Sequence, residues 1–257
     1  MKWYDGKMVT KSISQRTSMR QRLIHAGSFL LDILFPPVCL LCRKTLVSGA
    51  EARGLCEACR GRIPLHTSLF CGTCGARLPD QKKICHKETP YLLGAASDYR
   101  NEAARALIYE LKFSRHPAAA VPLADLIADY TRALPLPLIG ALLVPIPLHP
   151  RRERERGFNQ AELIAKRLTE TASAELAPVL ERVKDTPPQT TLKDYEARKK
   201  NMERCFRVAH PERVAGRTVI VLDDVSTSGA TLREAARALR EAGAKKIVGL
   251  VFAKAGS

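Results

Sequence analysis

Apolar positions fall into two textures along the chain. From residue 91 onward, short bare runs alternate with helical stripes. The runs 142–146 and 219–222 are uninterrupted aliphatic stretches, the mark of strands buried on both faces, and 92–97 and 247–252 predict two more. Between them, 102–113 spaces Ala103, Leu107 and Leu111 four apart, and a second helix is predicted over 118–133. The segment 159–171 sets Ala161, Ile164, Ala165 and Leu168 on one face. The segment 230–242 sets Leu232, Ala235, Ala236 and Leu239 on one stripe and stops at Gly243. Alternating strands and helices predict an α/β fold with a doubly wound parallel sheet. Residues 183–205, polar and charged around Pro187 and Pro188, read as a long loop.

Upstream of residue 91 the aliphatic positions thin out. Residues 1–22 are polar and basic and read as a disordered extension. Leu23, Leu30, Leu31, Leu34 and Phe35 line one helical face ahead of Pro36. Residues 39–88 are rich in Cys, Gly, Arg and Lys, and a stretch so poor in core formers needs a metal staple to fold. The expected division is an extension over 1–22, a helix and cysteine module over 23–90, and a sheet domain over 91–257. The uncharged stretch 133–148 is shorter than the roughly 20 residues of a membrane span and holds four prolines, so it reads as a loop feeding a buried strand.

Composition sharpens the picture in two ways. The 257 residues carry a formal charge of +16, and the excess lies over 1–90 and again over 151–218 while 91–150 is neutral. That imbalance favours a polyanionic partner or a phosphate-rich ligand. Six of the eight cysteines form three C-x-x-C pairs, and no leader pattern is visible near the N-terminus. A reducing, cytoplasmic setting follows, where such pairs bind metal rather than oxidise.

Cys39 and Cys42, thirteen residues, then Cys56 and Cys59 have the form and nearly the spacing of a closed four-thiolate zinc site. Cys71 and Cys74 begin a second knuckle, with Cys85 as third ligand and Glu88 where a further cysteine is expected. Its fourth ligand is drawn from His66, His86 or Glu88, or else the site is an incomplete relic. Adjacent Cys85 and His86 are not expected to reach one ion together. Cys205, beside Phe206, reads as a small core residue.

The stretch 219–231 carries the most chemistry. A buried strand ends in Asp223 and Asp224, a turn of small hydroxyl residues follows, and a helix opens. Backbone N–H groups of 227–231, including Ala230, form an anion cradle. The hydroxyls of Thr227, Ser228 and Thr231 add donors, and Gly229 admits a phosphate closely. Two carboxylates repel phosphate but accept hydrogen bonds from vicinal ribose hydroxyls, so the loop reads as a sugar-phosphate site. No Gly-Lys-Ser/Thr of a Walker loop follows, and no G-x-G-x-x-G is present. Upstream, Arg151, Arg152, Arg154 and Arg156 precede Gly157 after the strand at 142–146, placed to hold a diphosphate. Of these Arg156 is the candidate ligand, with Arg151 and Arg152 as solvated charges.

The stretch 219–231 resembles the 5-phosphoribosyl-1-diphosphate (PRPP) signature of type I phosphoribosyltransferases, departing from it at Ser226 and Ser228. Further pieces narrow the resemblance to the ComF family, competence-associated phosphoribosyltransferase-like proteins with an N-terminal double zinc ribbon. They are Phe35-Pro36-Pro37-Val38-Cys39, Leu111-Lys112-Phe113, Val144 to Arg151, Arg156 to Gln160, and the series Thr186, Gln189, Leu192, Arg198, Asn201 and Phe206. The resemblance implies a glycosyltransferase that releases diphosphate from PRPP, with Mg²⁺ accompanying the substrate and structural zinc in the ribbon. It implies PRPP contacts at 223–231, with Asp223, Asp224 and Arg156 as the catalytic set and Gly157 and Lys112 near the diphosphate. A flexible loop over 186–201, carrying Gln189, Arg198 and Asn201, closes the site. It also implies links to DNA uptake, and hence two alternatives: a non-catalytic module for single-stranded DNA and other competence proteins, or a PRPP-sensing regulator. An aromatic content of 5% counts against extensive base stacking.

Overall fold

The computed structural model describes residues 36–46, 54–78, 85–86, 89–134, 136, 138–172, 174–184 and 203–256. The extension 1–22, the helical face ending at Phe35, Glu88 and the loop residues Gln189, Arg198 and Asn201 lie outside the described residues. In chain order the elements begin with a short helix α1 (Glu57–Gly61) and the strands β1 (Leu69–Cys71) and β2 (Arg77–Leu78). Next come β3 (Leu92–Asp98), α2 (Glu102–Lys112), α3 (Ala120–Arg132) and β4 (Leu142–Pro145). Then follow α4 (Pro150–Arg156), α5 (Gln160–Thr171), β5 (Glu175–Leu176), β6 (Leu180–Arg182) and β7 (Phe206–Val208). The chain closes with α6 (Pro211–Val214), β8 (Thr218–Ser226), α7 (Ala230–Glu241) and β9 (Lys246–Lys254).

The main sheet has the order β2-β1-β3-β9-β8-β4-β5. β3, β9, β8, β4 and β5 run parallel, while β1 is antiparallel to both its neighbours. The doubly wound parallel sheet is therefore present, with an antiparallel edge contributed by the cysteine module. β8 shows why its aliphatic run is unbroken. Ile220 and Leu222 pack with α2, α3 and α5 on one face, and Val219 and Val221 pack with α7 on the other.

The cysteine module is tied to the sheet domain in three ways. Cys39, Leu46, Leu55, Cys59 and Ile63 belong to the same buried cluster as α2 and α3. Arg60 pairs with Asp129, and Arg43 pairs with Glu110 at 2.7 Å. At the sheet edge, the hydroxyl of fully buried Tyr130 donates to the Ser68 carbonyl at 2.9 Å and accepts from the Ala95 amide at 3.2 Å. One phenol thus satisfies two backbone groups where the module's strand meets β3, and its burial pushes its pKa up to about 12. Tyr130→Phe orphans both groups in the core. It is expected to cost about 1–3 kcal/mol of stability in a denaturant melt, against near zero for the exposed Tyr109→Phe.

Candidate functional site

The candidate site is built at the C-terminal tips of β4 and β8. Sequence reasoning ended the central strand at the two acids, but β8 continues through them to Ser226, because β9 pairs with it as far as Ser226 opposite Lys254. The chain then turns through Thr227, Ser228 and Gly229, and α7 opens at Ala230. Gly229 has φ +71°, which favours glycine, and a Cβ there would lie 3.0 Å from the Tyr91 hydroxyl, a contact tight enough to push that group away. Ser228 Oγ accepts from the Ala230 amide at 3.4 Å. Thr227 is exposed, and Ser228 and Thr231 are half-buried. The turn borders a cavity of about 200 Å³ shared with the cysteine knuckle 71–75 and Lys254.

The two acids differ in environment. Asp224 is 2% exposed, and its Oδ1 receives Lys112 Nζ at 2.8 Å from the end of α2. Its Oδ2 is buried without a hydrogen-bond partner among the described residues. Asp223 is half-buried, and its Oδ1 accepts from the Asp224 amide at 2.8 Å. Burial, and then the Asp224 charge, push the Asp223 carboxyl up to about 7, while Lys112 and Arg182 act in the opposite sense.

The cationic side of the site comes from three elements. Arg156, the last residue of α4, donates through Nη1 to Gln160 Oε1 at 2.5 Å. Burial lowers its pKa, and the charges of Asp224 and Asp223 oppose that shift, so its guanidinium lies within the field of both acids. Lys112 comes from α2. Arg182, on β6 and over the Phe206 ring at 5.9 Å, also acts on Asp223. Sequence reading missed Arg182, whose neighbours in the chain carry no motif.

The arginine-rich segment forms the helix α4. Pro150 presets its first turn, His149 Nδ1 accepts from the Arg151 amide at 3.4 Å, and Gly157 ends it at φ +90°. Arg151 is exposed and pairs with Glu155 at 3.2 Å, as a solvated charge should. Cys205 is fully buried, and desolvation raises its thiol to about 11, which suits a core residue.

Two clusters fit metal. Cys39, Cys42, Cys56 and Cys59 bring their sulfurs together, and so do the ligand atoms of Cys71, Cys74, Cys85 and His86, all within 4.8 Å in each set. The Sγ separations Cys42–Cys56 and Cys74–Cys85 are both 3.7 Å. A tetrahedron with Zn–S bonds of roughly 2.3 Å has edges of about 3.8 Å, so both sets match structural zinc with no open position. Burial alone would raise the Cys39 and Cys71 thiols, but peptide N–H donors at residues 42, 56 and 41, and at 74 and 73, help bring each down to about 6. Cys59 is pushed up to about 12 by burial and its neighbouring thiols.

Among the described residues His86 stands with Cys71, Cys74 and Cys85 as the fourth potential ligand, which corrects the expectation that adjacent Cys85 and His86 would not reach one ion together. His86 Nδ1 lies 3.5 Å from Cys71 Sγ while Cys85 faces Cys74, so the neighbours approach from two sides. His66 instead packs edge-on against Phe70, with ring centroids 5.0 Å apart.

The Lys112–Asp224 pair sets a stability test. Lys112→Met leaves Asp224 buried without its cation and is expected to cost about 3 kcal/mol in a urea melt at pH 8. Adding Asp224→Asn to that variant should restore most of the loss.

The chain matches the double zinc ribbon domain over residues 30–87 and the phosphoribosyl transferase domain over residues 155–257. It is 32% identical over 232 residues to the DNA utilization protein YhgH of Salmonella typhi, covering 82% of this chain and 94% of that one. Competence protein F of Haemophilus influenzae is 30% identical over 221 residues, covering 81% and 93%. Competence protein ComFC of Bacillus subtilis is 28% identical over 231 residues, covering 80% and 90%. A metal-stapled ribbon leading into a phosphoribosyltransferase domain, in the same order and over most of the length of these relatives, makes this chain a member of the ComF family.

Proposed function

We propose that the protein is a phosphoribosyltransferase that binds PRPP at 223–231 and transfers phosphoribose to an acceptor with release of diphosphate. The observation that carries this reading is the convergence of Lys112 and Arg156 on the tip of β8, beside Asp223 and a glycine-headed turn that opens on a cavity. In this reading the amides of 227–231, Ala230 among them, and the hydroxyls of Thr227, Ser228 and Thr231 hold the 5′-phosphate. Asp223 accepts from the ribose hydroxyls, with Asp224 held in place behind it by Lys112. The C1–O bond breaks, its electron pair leaves with the diphosphate, and the acceptor supplies the pair for the new bond at C1. Arg156, with Gly157 admitting the ligand and Lys112 nearby, stabilises charge gathering on the leaving group.

Mg²⁺ enters here with the substrate. Asp223 and Asp224 are the acids at the strand tip, and Asp224 gives Oδ1 to Lys112 and keeps Oδ2 buried, so the donor set suits an ion held chiefly by phosphate oxygens and water. Gln189, Arg198 and Asn201 are assigned to the covering loop. No helix among the described residues is long and apolar enough to cross a membrane, and PRPP chemistry with reduced thiols fits the cytoplasm. A PRPP-sensing role without turnover would use the same contacts and differ only in releasing no diphosphate.

A second reading is favoured by one surface feature. Tyr109 and Phe113 are 58% and 60% exposed, with ring centroids 5.0 Å apart, and share a groove with Tyr99 and Arg105. Exposed rings beside a guanidinium suit stacked bases and phosphates of single-stranded DNA. The names of the relatives, DNA utilization and competence proteins, point the same way.

Calorimetric titration with PRPP and Mg²⁺ tests the first reading. Asp223→Asn with Asp224→Asn is expected to weaken binding at least tenfold, and unchanged affinity overturns the ribose assignment. Because the hydroxyls favour ionised Asp223, wild-type affinity should rise as pH climbs toward about 7 and level off above it, a trend that Asp223→Asn removes. Tyr109→Ala with Phe113→Ala is expected to lower single-strand affinity in a fluorescence anisotropy assay at least tenfold while leaving PRPP binding intact.

A further inference from the structure

Tyr91 stands between the second cysteine cluster and the turn that opens α7. It is 3% exposed, and three glycines from separate parts of the chain make room for it. A Cβ on Gly72, the residue after the ligand Cys71, would lie 2.3 Å from the Tyr91 carbonyl oxygen and 2.9 Å from its ring Cδ2. A Cβ on Gly249, in β9, would lie 3.0 Å from the same ring carbon. At the far end the Tyr91 hydroxyl donates to the Gly229 carbonyl at 3.4 Å. The ring therefore spans from the metal knuckle to the head of α7 in direct contact with both.

The knuckle is the tip of the β1–β2 hairpin, where the Cys71 N–H donates to the Ala76 carbonyl at 2.9 Å. Cys71 to Gly75 is a turn fixed by Gly75 N–H to the Cys71 carbonyl at 2.9 Å and Thr73 N–H to Cys71 Sγ at 3.4 Å. Thr73 Oγ1 donates to Thr89 Oγ1 at 3.1 Å, and Thr89 Oγ1 in turn donates to the Tyr91 carbonyl at 3.2 Å. A bound ion would fix the turn through Cys71 and Cys74, tie it to Cys85 and His86, and so hold the wall against which Tyr91 rests. The same turn lines one cavity together with 226–229 and Lys254.

We propose that the second cysteine cluster and the phosphate loop are one thermodynamic unit, with Tyr91 as the positioning residue between them. Metal at Cys71, Cys74, Cys85 and His86 holds Tyr91 against Gly229 and keeps the turn in its binding shape. A phosphate ester in the turn, by reciprocity, holds the metal more tightly. The first cluster, packed on α2 and α3 away from the turn, stays outside this coupling. The inference rests on the phosphate reading of 227–231 given above.

The test is zinc release, not turnover. The full chain loaded with zinc at both clusters is challenged with a colorimetric chelator, with and without ribose 5-phosphate at a concentration that direct titration shows to be saturating. Cys85→Ser, which lacks the second site, identifies the phase belonging to the first cluster. The expected result is at least a fivefold slowing of release from the second cluster, with the first cluster unchanged. Tyr91→Phe keeps the ring and loses the hydroxyl contact, and is expected to keep both zincs while losing more than half of that slowing. Equal release rates at saturating ligand would overturn the coupling and leave the phosphate reading standing. Full slowing in Tyr91→Phe would overturn the role of Tyr91. Failure of ribose 5-phosphate to bind the doubly loaded protein would overturn the phosphate reading, and the coupling with it.

Discussion

A carboxylate buried at the end of a central strand cannot stay ionised without a cation, and here that cation arrives from a different element. Asp224 lies under the rim of the sheet, and Lys112 reaches it from the last turn of α2. Removing two charges from water is costly, so the pair survives only where its geometry is good. The constraint fixes where α2 must end relative to β8, and so sets the mouth of the site. Burial first, and then the Asp224 charge beside it, leave the Asp223 carboxyl raised to about 7. The two adjacent acids thus sit in different environments, Asp224 buried against Lys112 and Asp223 half-buried beside it.

The metal clusters and the hydrophobic core divide the work of holding the N-terminal module. A stretch with few aliphatic residues cannot bury enough surface to fold alone. The first cluster makes up the shortfall by joining the helices' core, where Cys39 and Cys59 are among the buried residues. The second cluster reaches the sheet instead, through β1 and its pairing with β3. Together they make the ribbon a wall of the α/β domain, which is how residues as distant as 72 and 229 come to touch one side chain.

Much of this was readable in the sequence. β4, β8 and β9 are aliphatic runs, and α2, α5 and α7 carry regular stripes, because elements buried in bulk must be apolar where they touch. The acids, the turn and the cysteine pairs were legible because their chemistry demands particular residues at close spacing. What escaped is what depends on distant partners. β1, β2, β5, β6 and β7 have two or three residues each, too few to show a period. α4 hid in a run of charges, since a surface helix with no buried residue has no stripe. Arg182, Tyr91 and the Lys112–Asp224 contact have no local signature. That Cys85 and His86 can share a cluster depends on the chain between them, which turns one toward Cys74 and the other toward Cys71.

The antiparallel edge has a consequence for how the chain can be divided. β3 would be the last strand of the sheet if the protein began at residue 91, with Leu92 and Leu93 along an open row of backbone donors and acceptors. Such a border invites pairing with any passing extended chain. Pairing with β1 closes it, and the two-residue β2 beyond, ending the sheet with the charged Arg77, offers little template for growth. The compositional boundary between ribbon and sheet is therefore a poor place to cut. A fragment starting there would carry every residue of the strand tip and yet be prone to aggregate, because the small metal-bound piece also serves as the guard on its neighbour's flank.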